Sequence, residues 1–366
     1  MLKIFYMKLY VFYKYIGLFL LILVILFSSC TKTESNPIKY VSVRGCDMSL
    51  IGDIRRVGVK VYDSQRNAGD MIDIIKKSGC NLVRLRVWHN DVDNLFEVEN
   101  LKSICDELRS KGLSIMLSIH YSDTWADPSH QTKPNLWNTQ NINVLSDSVY
   151  NYTAKTIQLL KPDYVQIGNE INNGFLWPQG HFSNLDGMKM LIKRAVSAVK
   201  ENSSKAKVIL HYAGYEGAEI FYEKLTDIDY DIIGISYYPM WHGKDLVSLK
   251  NVLTDLNKKF KKSTIIAETS YPFTLSWNDM TNNIIGTNSQ ILIQFAASPE
   301  GQRGYLNFIK TITSDSPGCL GFCYWGGEWI SYQGGSKYAG SPYENQSLWD
   351  FDNVLLPVAS ELSAQL

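Results

Sequence analysis

The chain predicts an α/β fold, a single (β/α)8 TIM barrel, on three observations. Eight short apolar runs alternate with longer amphipathic stretches from residue 41 onward. The helical stretch before a run often closes on a stop signal: Ser78-Gly79, Lys111-Gly112 and Lys161-Pro162. Polar or aromatic residues then sit at the far end of most runs, which packing alone does not require.

The apolar runs, read as buried parallel strands, are 41–46, 81–88, 114–120, 163–169, 206–212, 231–238, 264–268 and 319–325. Helices are expected near 68–78, 97–111, 143–160, 187–202, 216–227, 244–260 and 300–313, with a short one near 357–365. A doubly wound open sheet is the competing arrangement, but no Gly-rich phosphate loop follows the first strand. The 366 residues suffice for one large barrel, and no linker divides residues 40–366.

Composition narrows the function classes. Apolar residues make up 45% and charged residues 20%, the balance of a globular protein with a sizeable core. Net charge is zero and no Lys/Arg block occurs, so no nucleic-acid partner is expected. The N-terminus reads as a targeting segment. Lys3, Lys8 and Lys14 precede a 12-residue apolar stretch at 16–27, short for a membrane span and suited to a signal peptide. Ser28-Ser29-Cys30 then resembles a bacterial lipobox, with residues 1–29 removed, Cys30 lipidated and 30–39 a polar tether. That places the protein outside the cytoplasm, held to a membrane by the lipid alone. The remaining five Cys lack metal or CxxC spacing and read as small buried hydrophobes.

Barrel chemistry belongs at the C-terminal strand ends. The fourth strand ends in Asn169-Glu170 and the seventh in Glu268. Two carboxylates facing one another across a barrel mouth suit glycoside hydrolysis: about 5–5.5 Å apart for retention, about 6.5–9.5 Å for inversion. Retention needs Glu268 anionic as nucleophile and Glu170 protonated as acid, then acting as base. Arg84, at the end of the second strand, can supply a cation to Glu268, and Tyr238 a hydrogen bond. Asn169 can hold a sugar 2-hydroxyl. His120 ends the third strand and reads either as a cleft residue or as a satisfied core His. Trp325, at the end of the eighth, offers a flat surface for the apolar face of a sugar ring. Trp88, Trp125, Trp177, Trp241 and Trp329 can extend it.

These segments resemble glycoside hydrolase family 53, the endo-β-1,4-galactanases. The likeness rests on RGCDMS (44–49), VRLRVW (83–88), HYSDTWADPSHQTKP (120–134), VQIGNEINNGFLWPQG (165–180), GISYYPMWHG (234–243), IIAETSYP (265–272), YWGGEWI (324–330) and ENQSLWDF (344–351). It implies cleavage within β-1,4-galactan, the side-chain polymer of type I pectic arabinogalactan, with Glu170 as acid/base and Glu268 as nucleophile. It also implies that Asp123 and Trp125 line sugar sites. After the eighth strand the family commonly reads YWEPAWI; here Gly326-Gly327-Glu328 stands instead. Many bacterial members hold a structural calcium after the seventh strand, where Asp279, Asn283, Ser341 and Glu344 could donate oxygens. Catalysis itself needs no cofactor, and a monomer is expected. Two rival readings are another retaining endo-glycanase such as a mannanase, and a surface lipoprotein that binds glycan without cleaving it.

Overall fold

Alternate residues of a barrel strand face the bore, and this parity organises the interior. In the computed structural model, β1 (Val43–Asp47), β2 (Leu82–Val87), β3 (Ser114–Ile119), β4 (Tyr164–Ile167), β5 (Lys207–Ala213), β6 (Ile232–Ser236), β7 (Ser263–Thr269) and β8 (Cys319–Tyr324) are parallel. Each pairs with its sequence neighbours, and β8 closes on β1. The described residues are Met7, 40–90, 96–332 and 340–365. The described residues from 40 onward belong to one compact unit. The expected signal segment, Cys30 and the tether lie outside the described residues.

Two layers fill the bore. Low in the barrel, Val43, Leu82, Met116, Ile209, Ile232, Ile265 and Ala267 pack together. One or two pleats higher on the same strands stand Asp47, Arg84, Ser118, Gln166, His211, Ser236 and Glu268, all buried. The outward residues of the strands, such as Val83, Leu85 and Ile266, join the larger core beneath the helices. All five described Cys are free; four are buried and Cys319 is half-buried.

The helices start on side-chain caps. Asn141, Asn184, Asp245 and Ser298 accept N–H groups at the starts of Ile142–Leu160, Leu185–Asn202, Leu246–Phe260 and Pro299–Asp315. Some bounds depart from expectation. The helix placed at 68 begins at Met71, because Asp70 accepts the Ile72 N–H. Ahead of it Ala68–Gly69 pairs with Val61–Tyr62 in a two-stranded ribbon. A helix over Ile51–Val57 was not anticipated, and the stretch at 216–227 contracts to Ala218–Glu223. The last turn is a 3₁₀-helix, Pro357–Leu362.

Candidate active site

The two carboxylates reach the barrel mouth by different backbone devices. Glu170 lies just beyond β4 with φ +49, a left-handed conformation uncommon for a non-Gly residue and typical of functional strain. Glu268 depends on a bulge. Ile265 and Ala267 face the bore, so strict alternation would send Glu268 outward. The register of β7 slips by one residue against both neighbours: Ile235 pairs with Ile266 but Ser236 with Glu268, and Phe322 with Ile266 but Tyr324 with Thr269. The extra residue re-aims Glu268 into the bore, while Thr269 turns out to bond Tyr305 at 2.6 Å.

Glu268 is 5% exposed and gripped on both oxygens. Its Oε1 accepts from Arg84 Nη2 at 2.6 Å and its Oε2 from the Tyr238 hydroxyl at 2.9 Å. Arg84 also donates to Asp47 at 2.7 Å, and to Ser118 and Asn169 at 3.0 Å each. Gln166 Oε1 lies 3.2 Å from its Nη2. Arg84 is therefore spent on protein acceptors and acts on Glu268 rather than on a sugar. Burial pushes the Glu268 carboxyl up, and the Arg84 cation and Tyr238 hydrogen bond pull against it.

Among the described residues no cation contacts Glu170. Its Oε1 accepts from Ser236 Oγ at 2.6 Å. His211 fixes that hydroxyl. Its Nδ1 accepts the Glu170 N–H at 3.3 Å, so Nε2 carries the proton and donates to Ser236 Oγ at 2.8 Å. Burial, then the charge of Glu268, pushes the Glu170 carboxyl up to about 8. At neutral pH this arrangement holds Glu170 protonated beside a Glu268 kept lower by its partners.

Both carboxylates line one cleft of about 940 Å³, at the upper end of the roughly 300–1,000 Å³ of ligand sites. Asn169 accepts from Arg84 and Gln166 and donates one amide hydrogen to Ala126 O at 2.8 Å, leaving a second at the cleft. His120 Nδ1 accepts from Trp88 Nε1 at 3.1 Å and Ala126 N at 3.2 Å. Burial, reinforced by Arg86 and Arg84, holds the ring neutral, so Nε2–H is its donor toward the cleft it lines. Trp125, Trp241, Trp325 and Trp329 also line the cleft. Trp88 and Trp177 do not: Trp88 braces His120, and Trp177 donates to Asn173 O at 2.9 Å. Asp123 is likewise absent from the lining. Its Oδ2 accepts the Asn135 N–H at 2.8 Å and its Oδ1 stands 3.5 Å from His89, which makes it a loop staple. Asp47, Gln166, His211 and Ser236 escaped selection from the sequence as site residues. Their bore-facing parity was the available signal.

The loop after β7 does not form a calcium cage among the described residues. Asp279 Oδ1 accepts the Thr281 N–H, and its Oδ2 accepts from Ser341 N and Ser331 Oγ. Ser341 Oγ donates to Trp329 O at 3.2 Å. Glu344 Oε1 accepts from Asn278 and Asp279 N–H groups. Glu344 Oε2 and Asn283 Oδ1 are the two buried oxygens of this set without a partner, against the six to eight ligands calcium takes. Among the described residues no group of three or more His, Cys, Asp or Glu is arranged to hold a metal.

A closed barrel with two unequal carboxylates in an aromatic cleft defines a glycoside hydrolase. Residues 43–361 match the model of glycosyl hydrolase family 53, and the chain belongs to that family. The arabinogalactan endo-β-1,4-galactanase of Cellvibrio japonicus is 31% identical, the match covering 84% of this chain and 86% of that protein. The solved catalytic domain of Ignisphaera aggregans family 53 superposes with a TM-score of 0.85 at 34% identity, covering 90% of this chain and 97% of that one. A structure from work on two fungal β-1,4-galactanases gives a TM-score of 0.78 at 29% identity over 88% and 99%.

Proposed function

We propose that this protein is a retaining endo-β-1,4-galactanase acting on the galactan side chains of type I pectic arabinogalactan. The observation that carries the mechanism is the unequal setting of the two carboxylates. Glu268, between Arg84 and Tyr238, attacks the anomeric carbon as its carboxylate. The bond to the leaving oxygen breaks as Glu170 delivers its proton there. Glu170, now a carboxylate, takes a proton from water; that water attacks the same carbon and releases Glu268. Two inversions give net retention. The remaining Asn169 amide hydrogen suits the 2-hydroxyl of the attacked sugar, and Trp325 the apolar face of a ring. No cofactor enters these steps. The substrate assignment draws support from relatives that carry the galactanase name.

The chain is further read as a lipid-anchored protein acting outside the cytoplasm, on the basic, apolar and Ser28-Ser29-Cys30 pattern of its N-terminus. Loop 274–283 is held by the hydrogen bonds of Asp279 and Glu344, and Asp279, Asn283, Ser341 and Glu344 are the residues that would donate oxygens to a structural calcium there.

Digestion of linear β-1,4-galactan, β-1,4-mannan and cellulose tests the substrate. Internal cleavage of galactan alone is expected. Release from mannan without release from galactan would favour the rival glycanase, and tight binding without products would favour the non-catalytic binder.

A further inference from the structure

The Gly326-Gly327-Glu328 departure is the motif that the catalytic reading leaves unused. Glu328 is 0% exposed and does not line the cleft. Its Oε1 accepts the Leu50 N–H at 3.0 Å, at the start of the helix Ile51–Val57. Four residues on, the Tyr332 hydroxyl donates to Asp53 of the same helix at 2.6 Å. The segment after β8 is thus tied at two points to the segment after β1. Between Trp325 and Glu328 the chain makes a tight turn. Gly326 has φ +71, Gly326 O accepts the Trp329 N–H at 3.2 Å, and a Cβ on Gly327 would fall 2.3 Å from Cys46 Sγ.

This turn brings two indoles side by side. Trp325 and Trp329 stack with centroids 5.5 Å apart at 29°. Tyr343 stands edge-on to them at 4.8 and 5.0 Å, and Trp125 lies 6.3 and 6.2 Å away. All four rings line the cleft that holds Glu170 and Glu268. One Trp suffices to seat one sugar ring; a contiguous surface of four rings has room for its neighbours along a chain.

We infer that Glu328 is a positioning residue for substrate length: by fixing the turn after β8 it holds Trp329 beside Trp325, completing the surface that takes galactosyl units flanking the one attacked. The inference rests on the galactanase reading. Glu328 touches no substrate itself. Burial, then the nearby Asp47 charge, pushes its carboxyl up to about 8, so at neutral pH it is a neutral acid for which an amide is a close mimic. Gln retains the acceptor for Leu50 N–H. Asp keeps the acid but is one methylene too short to reach it.

The test compares wild type, Glu328→Gln, Glu328→Asp and Glu328→Ala on linear β-1,4-galactohexaose and on an aryl β-galactobioside. Glu328→Ala and Glu328→Asp are expected to raise KM for the hexaose about tenfold, with kcat within about twofold and KM for the aryl substrate unchanged. Glu328→Gln should match wild type on both. A merely structural glutamate would lower Tm in Glu328→Ala and leave the hexaose-to-aryl KM ratio alone, and that result overturns the inference. So would a Glu328→Gln protein that behaves like Glu328→Ala. Should Glu328→Ala not fold, Glu328→Asp carries the comparison. A wild-type protein inactive on every galacto-oligosaccharide would sink the galactanase reading and this inference with it, whereas an active wild type with an unchanged KM ratio in Glu328→Ala sinks this inference alone.

Discussion

The lower and upper layers of the bore are built on the strands of one barrel, with the same parity except at Glu268, where the β7 bulge breaks it, yet they do opposite work. The lower layer, from Val43 round to Ile265, is a packed apolar plug whose return is stability. The upper layer, one or two pleats higher, buries two arginines and several carboxylates. That is costly unless every charge finds a partner. Arg84 answers most of the cost by contacting Asp47, Ser118, Gln166, Asn169 and Glu268 at once. Among the described residues Glu170 has no cation in contact, and burial, then the charge of Glu268, leaves it its proton. The difference teaches that this barrel concentrates its strain where its chemistry lies.

Substitutions in the two layers should therefore fail differently. Glu268→Ala removes the nucleophile and should lower turnover by about 10⁴-fold or more with the fold retained. Glu170→Ala should lower turnover of polymer by about 10²–10⁴-fold. With an activated aryl galactoside its first step should recover, because that leaving group needs no proton. In wild type, kcat/KM on polymer should fall as pH rises through about 8, where Glu170 loses its proton. Wild-type turnover of polymer by either variant would remove the upper layer's role.

Arg84→Met should cost about 10²–10³ in kcat. Without the cation, Glu268 is pushed further up, so the acid limb of the pH profile should move to higher pH. An unmoved limb would mean that Arg84 serves packing only.

The layers should also part in stability. Ile209→Ala in the lower layer should cost about 2–5 kcal/mol and spare kcat. Glu170→Gln should do the reverse. Between the ordinary carboxyl range and about 8, folded Glu170 holds a proton that the unfolded chain has lost, so wild-type stability falls as pH rises across that window. Gln removes the effect, and the Tm advantage of Glu170→Gln should grow from pH 5 to pH 8. A constant Tm difference would contradict the raised carboxyl.

Much of this was legible in the sequence. All eight barrel strands follow from apolar runs, because a parallel strand covered on both faces is apolar outside its few polar bore positions. Glu170 and Glu268 stood out because a carboxylate ending such a run serves no packing purpose. The bulge in β7 was not legible: Ala267-Glu268-Thr269 reads as ordinary strand, and alternation alone points Glu268 the wrong way. Of the partners of Arg84, Glu268 was legible, whereas Asp47 and Gln166 were not, since they meet the guanidinium only once the barrel closes. Asp123 shows the opposite case. It stands in a family motif beside Trp125, yet its carboxylate bonds back to the Asn135 N–H and leaves the cleft to the ring.

The account turns on Glu268 attacking as a carboxylate while Glu170 gives the proton, and the stereochemistry of the first product reports this directly. Proton NMR during galactan hydrolysis should show the β anomer at the new reducing end first, with the α anomer growing in only by mutarotation. An α anomer at the earliest times would mean that water attacks directly, and would contradict the assignment of Glu268 as nucleophile.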